Sequence, residues 1–421
     1  MSSQNRVTLS RDCALKRLET PAVYHIKRDE LYELDQEAFD FLLGCYSPRG
    51  AEGIDQTFLD FCLKEGILVS PAPSSSSGKC GGRNSPPPVN PSPRPSLRYL
   101  ELLLTERCNL RCSHCYLGDA GTKDLAFERV VRVMDEFERV QGLRLLLSGG
   151  EPLLHRDFWR INELLPGYNF RTVLLTNGTL IDNREWRVES GETRFSTLNS
   201  QVLKGVSQRL NVHEVQISLD GMEASHDVIR GKGSFKKALR AIECLKEAWI
   251  DISIATMVTS YNRGDFTEMK KLLEGFDIKA WTIDIPCLAG NLLEDPSLLI
   301  PYNKAIKYLD YAYGGGNHGS SPGYACGSHL CAVTSDGVVC RCGFFRGEVA
   351  GSIEDGLEVC WNRIKHYTLD ELECSCPHRD ICRGGCRFRA LTHTGSIFAP
   401  DPLYCRAYGV TTDRQLVSLP A

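Results

Sequence analysis

Six short apolar runs recur between residues 100 and 285, and the stretches between them carry helical spacing. The runs are 100–105, 143–147, 172–175, 214–219, 252–258 and 280–285; the helices expected between them include 126–140, 235–248 and 265–274. A helix after each strand makes successive strands parallel, with right-handed crossovers. The pattern predicts an α/β fold, a closed or partly closed parallel sheet whose chemistry gathers at the carboxyl ends of its strands. Residues 183–210 read as a longer insertion between two of these units.

Unusual residues fall where that fold would use them. The first run leads into TERCNLRCSHCY, which sets Cys108, Cys112 and Cys115 in a CxxxCxxC array. Ser148-Gly149-Gly150-Glu151-Pro152 follows the second run, Thr176-Asn177-Gly178 the third and Ser218-Leu219-Asp220-Gly221 the fourth. The fifth leads into Ser260-Tyr261-Asn262 and the sixth into Pro286-Cys287. Three thiolates on one loop can wrap a single metal centre. A structural zinc site takes four protein ligands, and its cysteines usually arrive as two CxxC-like pairs. His114 is the one candidate for a fourth ligand nearby. Three thiolates also suit an iron–sulfur cube with one iron left open. Glycines in the second loop allow close backbone approach to a ligand, and Glu151 beside them can fix an amine.

Two other regions flank the repeats. Residues 70–96 hold eight prolines and eight serines among 27 positions with no apolar period, the composition of a solvated tether. Cys80 within it reads as an incidental thiol. Before the tether, residues 22–34 show two β-prone runs split by Lys27-Arg28-Asp29, and 36–46 and 54–65 show helical spacing. A small winged-helix-like α+β module follows, with Cys45 and Cys62 as packing residues. After the repeats, ten of the chain's 19 cysteines crowd the last quarter. The first eleven residues lack the apolar stretch of a secretion signal, so the expected compartment is the reducing cytoplasm, where such clusters bind metal more often than they form disulfides. A net charge of −4 argues against general nucleic-acid binding, and no apolar run reaches the length of a membrane span.

The set of CxxxCxxC, GGEP, TNG and SLDG after four successive strands, over roughly residues 97–300, resembles the radical S-adenosylmethionine enzymes. The resemblance implies a partial (β/α)6 TIM-like barrel. It also implies a 4Fe–4S cluster on Cys108, Cys112 and Cys115, whose open iron chelates S-adenosylmethionine. Gly149, Gly150 and Glu151 would hold the methionine amine, and Ser218 and Arg230 the ribose and carboxylate. Pro152, Thr176, Asn177 and Asp220 would line the same cofactor site. His114 stands where the family usually has an aromatic residue. Reductive cleavage would release a 5′-deoxyadenosyl radical that takes hydrogen from substrate.

The tail, with Cys326, Gly337 and Cys342 in C-x10-G-x4-C spacing and Cys374, Cys376, Cys382, Cys386 and Cys405 beyond, resembles the SPASM extension that carries auxiliary 4Fe–4S clusters. Carried over, Cys326, Cys331, Cys342 and Cys386 would hold one cluster, and Cys374, Cys376, Cys382 and Cys405 the other. Cys340 could stand in for Cys342, and Cys374-Ser375-Cys376 replaces the usual CxxC. The amino-terminal module is similar to leader-peptide recognition domains, its acidic residues speaking against DNA.

The expected organisation is thus a leader-recognition module at 1–69, a linker at 70–96, a barrel at 97–310 and an iron–sulfur domain at 311–421. The expected activity is maturation of a ribosomally made precursor peptide through a thioether or carbon–carbon crosslink, with a flavodoxin- or ferredoxin-type electron donor and no membrane or nucleic-acid partner. Cys287 could instead return a hydrogen in an epimerisation, or simply pack as a core thiol. Alternatives are a sulfatase-maturase-like oxidase, a porphyrin side-chain decarboxylase and a zinc-bound scaffold. Against the first of these, Gly343 follows Cys342 where such oxidases usually have an aspartate.

Overall fold

The computed structural model describes residues 6–50, 54–71, 86, 90–181, 205–314 and 323–410. Its amino-terminal part contains β1 (Arg6–Leu9), β2 (Cys13–Arg17), β3 (Pro21–His25), β4 (Glu30–Glu33), β5 (Arg49–Gly50) and β6 (Leu68–Val69). Strands β2, β3 and β4 form an antiparallel meander, and β1 pairs with both β5 and β6. Helices Gln36–Gly44 and Gln56–Lys64 start where the side chains of Asp35 and Asp55 accept the backbone N–H of Ala38 and Phe58, the capping that aspartate favours. Their apolar faces bury Phe39, Leu42, Leu59 and Cys62 in one core with Cys45.

Beyond residue 97 run β7 (Tyr99–Thr105), β8 (Arg144–Gly149), β9 (Arg171–Thr176), β10 (Glu214–Ser218), β11 (Asp251–Met257) and β12 (Ala280–Asp284). These six strands are parallel and adjacent in chain order, the winding of a partial TIM barrel. The crossover helices bury one face each: Val130, Val133, Met134 and Phe137 in Phe127–Arg139, and Ala238, Ala241, Ile242 and Leu245 in Ser234–Glu247. Apolar residues three and four apart form the stripe that a helix needs to cover a sheet. The sheet then gains β13 (Leu330–Val333), β14 (Val338–Cys340) and β15 (Val349–Ser352), for nine strands in all. Strand β13 lies parallel to β7, so the tail extends the barrel wall through a long-range pairing.

The amino-terminal part is docked on the barrel. Lys16 Nζ donates to Gly142 O at 2.8 Å, Arg171 Nη1 donates to Ile26 O and Lys27 O at 3.1 and 2.7 Å, and Arg144 pairs with Asp29. Leu143 joins Ala14, Leu18, Tyr24 and Ile26 in one apolar cluster. Arg144 and Arg171 open β8 and β9, so this contact lies at the amino ends of the strands.

The expected solvated tether needs correction in its last seven residues. Ser92 N donates to Arg17 O at 2.8 Å, Ser96 donates twice to Glu19, and Trp361 Nε1 donates to Pro95 O at 2.7 Å. Proline and serine content cannot reveal such partners, which arrive from elsewhere in the chain. Cys80 and most of the 183–210 insertion lie outside the described residues. Among the described residues, no helix is long and apolar enough to cross a membrane.

Candidate active site

The loop after β7 is held at its base by Thr105, whose hydroxyl donates to Asp124 Oδ1 at 2.6 Å and accepts Arg107 N at 3.0 Å. The GGEP loop grips it from one side: Gly150 N donates to Thr105 O at 2.8 Å and Glu151 N to Arg107 O at 2.7 Å. A Cβ on Gly149 would stand 2.4 Å from Thr105 O, and one on Gly150 2.3 Å from Arg107 O. Both glycines are therefore needed for backbone-to-backbone packing of two loops, whatever else they touch. Asn177 Nδ2 donates to Asn109 Oδ1 at 2.9 Å, Ser113 N to Ile229 O at 3.0 Å, and Asn291 Nδ2 to Cys112 O at 2.9 Å. Five segments thus fix the stretch from Thr105 to Ser113.

The three thiols open onto a cavity of about 700 Å³ at the carboxyl ends of the strands. Gly149, Gly150, Thr176, Asn177, Ser218 and Arg230 line it together with Cys108, Cys112 and Cys115, and the size suits a small-molecule site. Burial pushes the Cys108 thiol up and the Cys112 thiol up to about 11. Thiols in such a setting become thiolates only with a positive partner, which iron would supply. Among the described residues no three His, Cys, Asp or Glu side chains form a site for a single metal ion. A cube is bridged by its own sulfides and takes one thiolate per iron, so its ligands stand farther apart than those of a lone zinc.

Three expected cofactor residues do not line the cavity. Glu151 is fully buried; its carboxylate accepts Thr176 Oγ1 at 2.8 Å, Asn177 N at 2.9 Å and Leu153 N at 3.2 Å. It braces the second loop against the third, and burial raises it to about 7. Pro152 starts the short turn that follows, Pro152–Leu154, and is buried with it. Asp220 accepts Arg230 Nε at 2.5 Å, His114 Nε2 at 3.2 Å and Met257 N at 2.7 Å. Its burial opposes the charge, but Arg230 and His114 outweigh that and hold the carboxyl well below the usual range. Arg230 in turn reaches Cys112 Sγ at 3.9 Å. His114 therefore faces this ion pair through its Nε2.

Some lining residues lie outside the motifs. Glu101 sits on β7 and accepts Ser148 Oγ at 2.9 Å and Tyr116 Oη at 3.0 Å, with burial raising its carboxyl. A charge inside the run YLELLLT is the signal that could have found it. Asn291 carries no such signal, because its partner, the Cys112 carbonyl, is 179 positions away.

Residues 102–273 match the model of the radical SAM superfamily. Over those residues the chain is an enzyme of radical SAM type. Its cofactors are a 4Fe–4S cluster and S-adenosylmethionine. Among its relatives is the AdoMet-dependent heme synthase of Oleidesulfovibrio alaskensis, 25% identical over 79% of this chain and 93% of that one. Another is the mycofactocin maturase MftC of Mycolicibacterium smegmatis, 29% identical over 73% of this chain and 82% of that one. SuiB of Streptococcus suis, solved with S-adenosylmethionine, shares the fold at a TM-score of 0.62 and 13% identity, covering 94% of this chain and 99% of its own. anSMEcpe with bound AdoMet does so at 0.56 and 21%, covering 74% and 94%.

The tail beyond the matched residues gathers its thiols into separate groups. Cys405 lies within electrostatic reach of Cys374, Cys376 and Cys382, so the CxC spacing still brings both of its cysteines to one place. Cys386 is the centre of a second group, reaching Cys326 and Cys342. Cys331, expected with these, is absent from that group. It is buried on β13 in the main core, where its electrostatic neighbours are Cys340 and Cys360. The strand pairing of β13 with β7 turns its side chain into the sheet, which loop spacing alone could not reveal. Cys340 hydrogen-bonds Ala332 O and faces Leu103 and Ala332, so it too is a packing residue. Cys287 is buried, with Cys386 as its electrostatic neighbour.

Proposed function

We propose that this radical SAM enzyme matures a ribosomally made peptide, joining two of its residues through a thioether or carbon–carbon bond. The observation that carries this reading is the pair of thiol groups in the tail, one of them tied to the end of β12. An oxidative crosslink must pass an electron onward, and thiols able to ligate auxiliary clusters are suited to receive it. A relative named as a maturase supports the same reading, as does a shared fold with SuiB, which has been solved with its precursor peptide SuiA.

On this reading Cys108, Cys112 and Cys115 ligate the cluster, while Gly149, Gly150, Thr176, Asn177, Ser218 and Arg230 contact S-adenosylmethionine. When bound, the two together supply a carbon radical that removes hydrogen from substrate. Glu151 and Asp220 act as positioning residues, the first bracing the loops and the second orienting Arg230. Residues 1–69 read as the leader-recognition module, with the leader adding a strand at an edge such as β4. This module contacts the amino ends of β8 and β9. A bound leader would therefore have to run the length of a strand, about 20 Å for six residues, to present its core at the mouth.

The test is anaerobic incubation of the iron-loaded enzyme with S-adenosylmethionine, reductant and the peptide encoded beside its gene, followed by mass spectrometry. Loss of two hydrogens per link is expected; cleaved cofactor with an unchanged peptide would overturn the reading. The heme synthase relatives favour a second reading, decarboxylation of a porphyrin side chain. Loss of carbon dioxide from an added porphyrin, with the peptide untouched, would select it.

A further inference from the structure

We propose that Cys287 is the fourth thiolate of the tail's first iron–sulfur site, with Cys326, Cys342 and Cys386, in the place that loop spacing assigns to Cys331. The inference rests on the auxiliary-cluster reading above and goes beyond it by naming a ligand from the barrel itself.

Three observations converge on Cys287. Its thiol is the electrostatic neighbour of Cys386, which also interacts with Cys326 and Cys342. The main chain beside it is tied to the same group: Arg389 Nη2 donates to Ile285 O at 2.9 Å, and Arg389 Nη1 donates to Asp401 Oδ2 at 2.9 Å. The same Asp401 oxygen accepts Cys386 N at 2.7 Å. A buried ion pair therefore locks the end of β12 to the backbone of Cys386, with Arg389 and Asp401 almost wholly buried. Finally, Cys331 has no route to the site, since it is fully buried within a paired strand against Cys340 and Cys360.

On ligation the Cys287 S–H bond breaks, its proton passes to water, and the sulfur lone pair forms an Fe–S bond with no change in oxidation state. All four irons of this site then carry protein thiolates. No iron is left to bind a substrate thiol, so the site serves electron transfer. The bond also fastens the tail to the strand that ends at the substrate cavity.

The test uses the full chain with Cys108, Cys112 and Cys115 changed to alanine, so that only tail sites fill on anaerobic reconstitution. In this background Cys287→Ala is compared with Cys331→Ala by iron and sulfide analysis and by electron paramagnetic resonance after mild oxidation. Cys287→Ala is expected to shed one iron and show a three-iron cluster signal, while Cys331→Ala matches its parent. Cys287→Ser, closer in size and still able to ligate, is expected to shift the reduction potential of one cluster with the circular dichroism unchanged. A three-iron signal from Cys331→Ala, or a Cys287→Ala variant indistinguishable from its parent, would overturn the proposal. A parent that takes up no iron would overturn the auxiliary-cluster reading itself, a result distinct from a parent that loads normally and ignores Cys287.

Discussion

Cys108, Cys112 and Cys115 fall within eight residues of a single loop, whereas the thiols around Cys386 come from positions 287, 326 and 342. Each group nevertheless stands beside a buried aspartate–arginine pair, Asp220–Arg230 at the mouth and Asp401–Arg389 in the tail. In both, the aspartate also accepts a backbone N–H, that of Met257 or of Cys386. The difference is what the pair must accomplish. At the mouth the chain has already brought the thiols together, and the ion pair orients an arginine toward Cys112. In the tail the ion pair joins segments that local sequence leaves apart.

The sharpest way to break this comparison is to remove one thiol from each group. Cys112→Ala is expected to abolish S-adenosylmethionine cleavage, read as loss of 5′-deoxyadenosine. Cys342→Ala is expected to leave that cleavage in place and abolish only the peptide product. Equal loss from both variants would mean that the tail is needed for the first step as well.

Next in size are the ion pairs. Removing one charge of a buried pair strands the other, at a cost of about 3–5 kcal/mol. Asp220→Asn and Asp401→Asn should each lower stability on that scale in urea unfolding. Only Asp220→Asn should also raise the KM for S-adenosylmethionine, and only Asp401→Asn should release iron from the tail.

A smaller effect follows from loop packing. The Cβ of Gly150→Ala would meet the Arg107 carbonyl at 2.3 Å, and forcing such a contact costs about 1–3 kcal/mol. Lower iron content at the mouth with an unchanged tail is the expected reading.

The smallest is a slope with pH. Glu151 is raised to about 7 by burial, so the folded protein keeps a proton that the unfolded chain has already released. Its contribution to stability therefore falls as pH rises from the ordinary carboxylate range to about 7. Glu151→Gln should flatten that slope when urea unfolding is compared at about pH 5 and about pH 7.

The six barrel strands are legible because each is an apolar run bounded by polar turns, and the structure places them within one or two residues of the expected limits. The two helices of the amino-terminal module are legible for the same reason. Strands β1, β5 and β6 are not, being two to four residues long and paired with distant partners, and neither is β2, although its partner β3 comes next in the chain. Strands β13, β14 and β15 escape for another reason: a cysteine-rich stretch looks like a metal loop, and nothing local announces that Cys331 belongs to a strand beside β7.

What the amino-acid order determined by itself is the winding of the barrel and the three-thiol loop at its mouth, since helical period, strand length and short spacing are properties of neighbouring residues. Only the tertiary structure decided that Glu151 braces loops instead of lining the cavity, that the proline-rich segment ends anchored, and that Cys287 meets Cys386 while Cys331 does not. Those outcomes depend on which buried donors find acceptors between 25 and 266 positions away, and that matching is made only when the layers pack.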